Sequence, residues 1–148
     1  MRVALLLHLL GAVIWIGGMF FAYFALRPAA TMLEPAQRLP LWAGTLERFF
    51  RWVWVAIALI LGSGFYMLTV MGGTRHVPFT IHLMLFVGLV MFIIFVYVFF
   101  APFPALKRTL AAQDWKAGAA ALNTIRKAVA VNLALGLINL GVATMGSM

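Results

Sequence analysis

The sequence predicts an all-α, integral membrane four-helix bundle, and three observations carry that expectation. The chain has 148 residues, of which 66% are hydrophobic and 9% charged, against roughly 25% charged in a soluble domain. Its mean hydropathy is +1.08, so it cannot cover a water-facing surface. Four apolar segments each reach the ~20 residues that a helix needs to cross a bilayer, with basic residues clustered beside them. The length suits one transmembrane domain over residues 1–148.

The first span runs from about residue 3 to residue 26 and stops at Arg27-Pro28. It is too long for a signal peptide and lacks a small-residue cleavage site. The second covers about 52–71, the third 78–101 and the fourth 128–145. These are helical lengths; a barrel strand would alternate over ~10 residues. The connections 27–51 and 102–127 then share one side. They hold Arg27, Arg38, Arg48, Arg51, Lys107, Arg108, Lys116, Arg126 and Lys127, whereas the opposite side holds Arg2 and Arg75. The positive-inside bias makes both connections cytoplasmic and both termini periplasmic, in a multi-pass protein of the bacterial inner membrane. Trp42, Trp52, Trp54 and Trp115 suit the cytoplasmic interfacial belt. Residues 35–51 read as an amphipathic lead into the second helix, with Leu39, Trp42, Leu46 and Phe49 at helical spacing. Residues 105–127 are rich in good helix formers and predict an extension of the fourth helix.

Composition also excludes chemistry. The chain has no cysteine, which removes disulfides, thiolate zinc clusters, iron–sulfur ligation and thiol catalysis. The net charge of +8 reads as a topology signal, so the expected partner is the lipid bilayer and not nucleic acid.

Two histidines, His8 and His82, lie inside apolar spans. An ionisable side chain there is costly and marks a candidate site. Both fall about one helical turn from the same membrane face, at a depth where two imidazoles on two helices can grip one metal centre. His76 and Arg75 lie in the nearby turn 72–77. On the first helix His8, Gly11, Trp15, Gly18 and Ala22 recur at steps of three or four and share a face. Small residues there admit a close neighbour, either another helix or a flat macrocycle. Gly62, Ser63 and Gly64 interrupt the second span, and Asn132, Gly136 and Asn139 the fourth; the asparagines are expected to face the interior and join helices.

Haem b fits this pattern, with His8 and His82 as axial ligands to the haem iron. Trp15, Gly11 and Gly18 would lie beside the macrocycle and Leu5, Leu85, Phe86 and Leu89 around it, with Arg75 or Arg2 near the propionates. Copper is the competing metal, because thioethers select Cu(I). Met67, Met71, Met84, Met145 and Met148 all fall toward the outer face, and with His76 and His82 could form a copper path. Ordinary hydrogen bonding of the histidines to carbonyls or water remains the simplest alternative.

The string His8-Leu9-Leu10-Gly11-Ala12-Val13-Ile14-Trp15-Ile16-Gly17-Gly18-Met19-Phe20-Phe21 resembles the first helix of the CopD (copper-resistance protein D) membrane domain. The four-span plan, the Arg-rich lead into the second helix and the Gly-x-Gly within it are similar to that family too. This resemblance implies copper import or handling. A related pattern, His followed by Trp seven positions on, occurs in the HemJ haem-binding protoporphyrinogen oxidases, and implies haem ligation by His8. His82 stands where that family carries its third-helix Lys, and that family's Arg after the Trp is missing. Three readings result. The first is a small b-type haem protein engaged in electron transfer or a redox reaction with quinol or a periplasmic partner. The second is copper handling, for which an oligomer would supply a pathway. The third is a non-enzymatic membrane scaffold.

Overall fold

The structure, a computed structural model, describes residues 1–146. It is helical throughout, with no strand among the described residues. Four of its helices are long and apolar enough to cross a membrane. Helix α1 covers Arg2–Ala30. It is α-helical to Phe21, widens into a π-type turn over Ala22–Leu26, and returns to α geometry over Arg27–Ala30. Pro28 explains the widening. It has no N–H to donate, and its ring would press on the carbonyl four residues back, that of Phe24, inside the π segment.

Helix α2 is continuous over Pro35–Val70. At ~1.5 Å per residue, its 36 residues span roughly 54 Å, well beyond a ~30 Å hydrocarbon core. Leu39, Trp42, Leu46, Phe50, Val53 and Ile57 are buried at steps of three and four along it, so the amphipathic lead and the second span form one helix. Pro40 is tolerated because it lies near the start, where few carbonyls precede it. Gly72 and Gly73, at φ +92° and +87°, turn the chain. A 3-10 turn, Thr74–His76, leads into α3, Phe79–Phe100.

The fourth helix departs from expectation. It does not run unbroken from about residue 105. Ala101 leaves helical geometry at φ −116°, ψ −80°, and Pro102 opens a short α4, Pro102–Ala111. The residue before a proline is pushed out of the α region, so the break follows locally from Ala101-Pro102. A second break follows at Gln113, whose φ is +53°. Asp114 then caps α5, Trp115–Met145, accepting a hydrogen bond from the Ala117 N–H at 3.1 Å.

Helix α1 packs mainly on α2, and α3 and α4 pack on α5, which also touches α1 and α2 and closes the bundle. Trp15, Met19, Phe50, Val53, Met91, Phe95, Val98 and Leu133 fill the centre. Phe50, Trp54, Phe95, Phe99 and Phe103 form a ring cluster with centroids 4.9–6.2 Å apart. Trp42 is buried and Trp54, half-buried, joins this cluster, so both rings pack against other helices. Trp52 is exposed.

Candidate functional site

The up-and-down order gathers the start of α1, the end of α2, the start of α3 and the end of α5 at one end of the bundle. Gly146 confirms the last pairing: a Cβ there would lie 2.6 Å from Thr80 Cγ2. His8, His76, His82, Met67, Met71, Met84 and Met145 all belong to this end, as the sequence predicts. Met148 lies outside the described residues.

His8 is half-buried against α2. Its Nδ1 is 3.1 Å from the Ile60 carbonyl oxygen and 3.2 Å from Ser63 Oγ. A carbonyl only accepts, so Nδ1 carries the proton. Ser63 donates its own hydroxyl to the Leu59 carbonyl at 2.5 Å, which leaves its oxygen facing the imidazole as a second acceptor. In the neutral imidazole the lone pair then falls on Nε2, which has no hydrogen-bond partner among the described residues. A ligating histidine is set up in this way, with one nitrogen tied down and the other presented. The two glycines flanking Ser63 differ: a Cβ on Gly62 would meet nothing, whereas one on Gly64 would lie 3.4 Å from His8 Cε1. Ser63 as the partner that orients His8 was not foreseen from the sequence. The available signal was a lone hydroxyl inside an apolar span.

The other predicted residues are arranged differently. His82 is exposed, and its Nδ1 turns back to the Pro78 carbonyl of its own first turn at 3.3 Å. No hydrogen bond joins it to His8 among the described residues. Leu5, Leu85, Phe86 and Leu89, expected around a macrocycle, are all exposed and face the surroundings of the bundle. His76 is exposed, with Nδ1 2.9 Å from the Gly72 carbonyl, and Arg75 is exposed beside it.

The small-residue stripe on α1 serves helix packing. A Cβ on Gly11 would lie 2.8 Å from the Ala56 carbonyl oxygen, and one on Gly18 would lie 2.1 Å from Phe49 Cε2. Trp15 is 5% exposed and meets Phe95 edge-on at 6.2 Å. Asn132 and Asn139 join α5 to α3 as expected, donating to the Met91 carbonyl at 3.1 Å and the Met84 carbonyl at 3.4 Å.

Among the described residues no group of three or more His, Asp or Glu side chains is placed to hold a metal ion. The soft donors at this end of the bundle are the oriented imidazole of His8 and the thioethers of Met67, Met71, Met84 and Met145. Met67 is half-buried and lies four residues beyond Ser63, on the same face of α2. Since α1 and α2 run antiparallel and His8 meets Ile60 and Ser63, Met67 falls one turn further toward the end of the pair.

No curated protein and no solved structure matches the chain. A family model does match, that of copper resistance protein D, over residues 43–145. The match begins in α2 and reaches the last residue of α5, so it takes in Ser63 and Met67 while the His8-to-Phe21 string lies before it. With all but the start of α2, and α3, α4 and α5 within the match, this multi-pass membrane chain belongs to the copper resistance protein D (CopD) family.

Proposed function

We propose that the protein handles copper in the membrane, with His8 as the anchoring ligand for Cu(I). The observation that carries this reading is the fixed tautomer of His8: Nδ1–H is bound to α2 and the Nε2 lone pair is left for a metal. The neighbouring soft donor is Met67, and a two-ligand imidazole–thioether site suits Cu(I), which thioethers select. The family match, whose name concerns copper resistance, supports copper over haem. A bis-histidine haem would require His82 to turn away from its own helix toward His8, across helices that do not pack closely on one another. Copper here is cargo, bound by few ligands and released again. An oligomer would provide the passage that one bundle of four helices is too small to hold.

The test is a Cu(I) competition titration of the detergent-purified protein under reducing, oxygen-free conditions, using a chromogenic chelator. His8→Ala is expected to weaken binding about tenfold or more, and Ser63→Ala, which removes only an orienting partner, by a smaller factor. Met67→Leu should also weaken it, while Met32→Leu, at the opposite end and 88% exposed, should leave it unchanged. A Soret band in protein produced with ample haem, lost in both His8→Ala and His82→Ala, would replace copper with the haem reading.

A further inference from the structure

The opposite end of the bundle holds a cleft of about 250 Å³ between α1, α2 and α5. Three of its lining residues are Arg27, Arg38 and Arg126, one from each helix. Among the described residues these are the only half-buried Lys or Arg side chains; the other eight, Arg2, Arg48, Arg51, Arg75, Lys107, Arg108, Lys116 and Lys127, are all exposed. Partly burying three guanidinium groups together is unfavourable unless something negative meets them. Among the described residues no carboxylate lines the cleft. Of the three acidic residues, Glu47 pairs with Arg51, Asp114 caps α5, and Glu34 is exposed and bridges no arginine.

Two of the arginines are held by uncharged neighbours. Arg27 lies over the Tyr23 ring, 5.0 Å from its centroid, and Arg126 donates to Asn123 Oδ1. The Arg38 guanidinium makes no hydrogen bond or ion pair among the described residues. Thr31 also lines the cleft, its hydroxyl donating to the Pro28 carbonyl. Tyr23 itself belongs to the π-type turn, so the widened backbone forms part of the wall; such turns often mark functional sites. Deeper lining comes from Leu46, Phe49 and Val129, which continue into the apolar spans.

We propose that this cleft binds a phosphate-bearing anion, and that the anion is the headgroup of an acidic phospholipid. Planar guanidinium groups match phosphate oxygens in paired hydrogen bonds, and basic pockets between membrane helices bind lipid headgroups in this way. The apolar floor favours a phosphate attached to acyl chains over a free one. The site is separate from the histidine end and does not depend on copper binding.

The experiment uses the full chain in nanodiscs of phosphatidylcholine, alone or with phosphatidylglycerol added, and reads the thermal midpoint. Phosphatidylglycerol is expected to raise it. Arg38→Gln/Arg126→Gln should remove that rise, while Arg108→Gln/Lys116→Gln, which deletes the same charge from the same end, should keep it. If the glutamine pair does not fold, Arg38→Lys/Arg126→Lys serves instead: it retains charge but loses the fork, and should need about tenfold more phosphatidylglycerol for the same shift. Inorganic phosphate added to phosphatidylcholine discs distinguishes the source. A rise with phosphate alone, lost in the cleft pair, keeps the anion site and overturns the lipid assignment. No rise with either additive, or equal loss in the cleft and control pairs, overturns the proposal.

Discussion

Single residues set how closely the helices approach, and three glycines on α1 separate packing from propensity. A methyl group at Gly11 would strike the Ala56 carbonyl oxygen and Ile60 Cγ1, both at 2.8 Å, and one at Gly18 would enter the Phe49 ring. A methyl group at Gly17 would meet nothing within 4 Å. Gly11→Ala and Gly18→Ala should therefore each destabilise by about 1–3 kcal/mol, the usual range for overpacking. Gly17→Ala should leave the thermal midpoint unchanged or raise it, as alanine favours helix. Asn132 gives the opposite lesson. Its Nδ2 bonds the Met91 carbonyl, but its Oδ1 is buried with no hydrogen-bond partner among the described residues. The gain and the unmet acceptor offset one another, so Asn132→Leu should change unfolding free energy by under about 1 kcal/mol. The asparagines were legible as inward-facing because a bilayer leaves an amide nowhere else to go. The rotation of His82 was not. Nearly every residue of α3 is apolar, so no amphipathic stripe reports which side meets lipid, and a histidine near the water boundary is satisfied by its own Pro78 carbonyl.

At the level of elements, the spans were legible from hydropathy, and the helix ends only where a residue with special backbone needs stood nearby. The third span ends at Ala101-Pro102 as the sequence predicts, whereas Gln113-Asp114 divides the expected extension of the fourth helix, and the good helix formers on either side conceal that break. The two tight turns respond to substitution in opposite directions. Gly73 lies at φ +87°, ψ +178°, a conformation essentially restricted to glycine. Gly73→Ala should lower stability by about 1–3 kcal/mol. Gln113 ends α4 with φ +53°, where a side chain is disfavoured and glycine is the usual occupant. Gln113→Gly should raise the thermal midpoint, by an amount reflecting the ~1 kcal/mol that a left-handed side chain costs. Thermal unfolding of both variants in one detergent checks the pair. Helix neighbours were less legible than helix ends, because lipid tails and protein cores are equally apolar and four such helices can pair in several orders.

Across the whole molecule, the chain divides its chemistry between its two ends. The oriented imidazole of His8 and the thioethers belong to one, and nine of the eleven cations with the three-arginine cleft belong to the other. The charge asymmetry predicts that the cation-rich end is cytoplasmic. In that orientation His8 lies at the outer face, and the cleft lies in the leaflet where acidic headgroups give the surface its negative potential. The lipid reading requires this orientation, whereas for the copper reading it sets only the direction of passage. The absence of cysteine makes the orientation directly measurable. Thr74, in the turn between α2 and α3, and Ala112, between α4 and α5, are both exposed and lie at opposite ends. In intact cells stripped of their outer layers, a membrane-impermeant maleimide should label Thr74→Cys and spare Ala112→Cys. Permeabilising the membrane should then expose the second site. The reverse pattern would place His8 on the cytoplasmic side, and copper would meet the thioethers on the way out of the cell instead of on the way in.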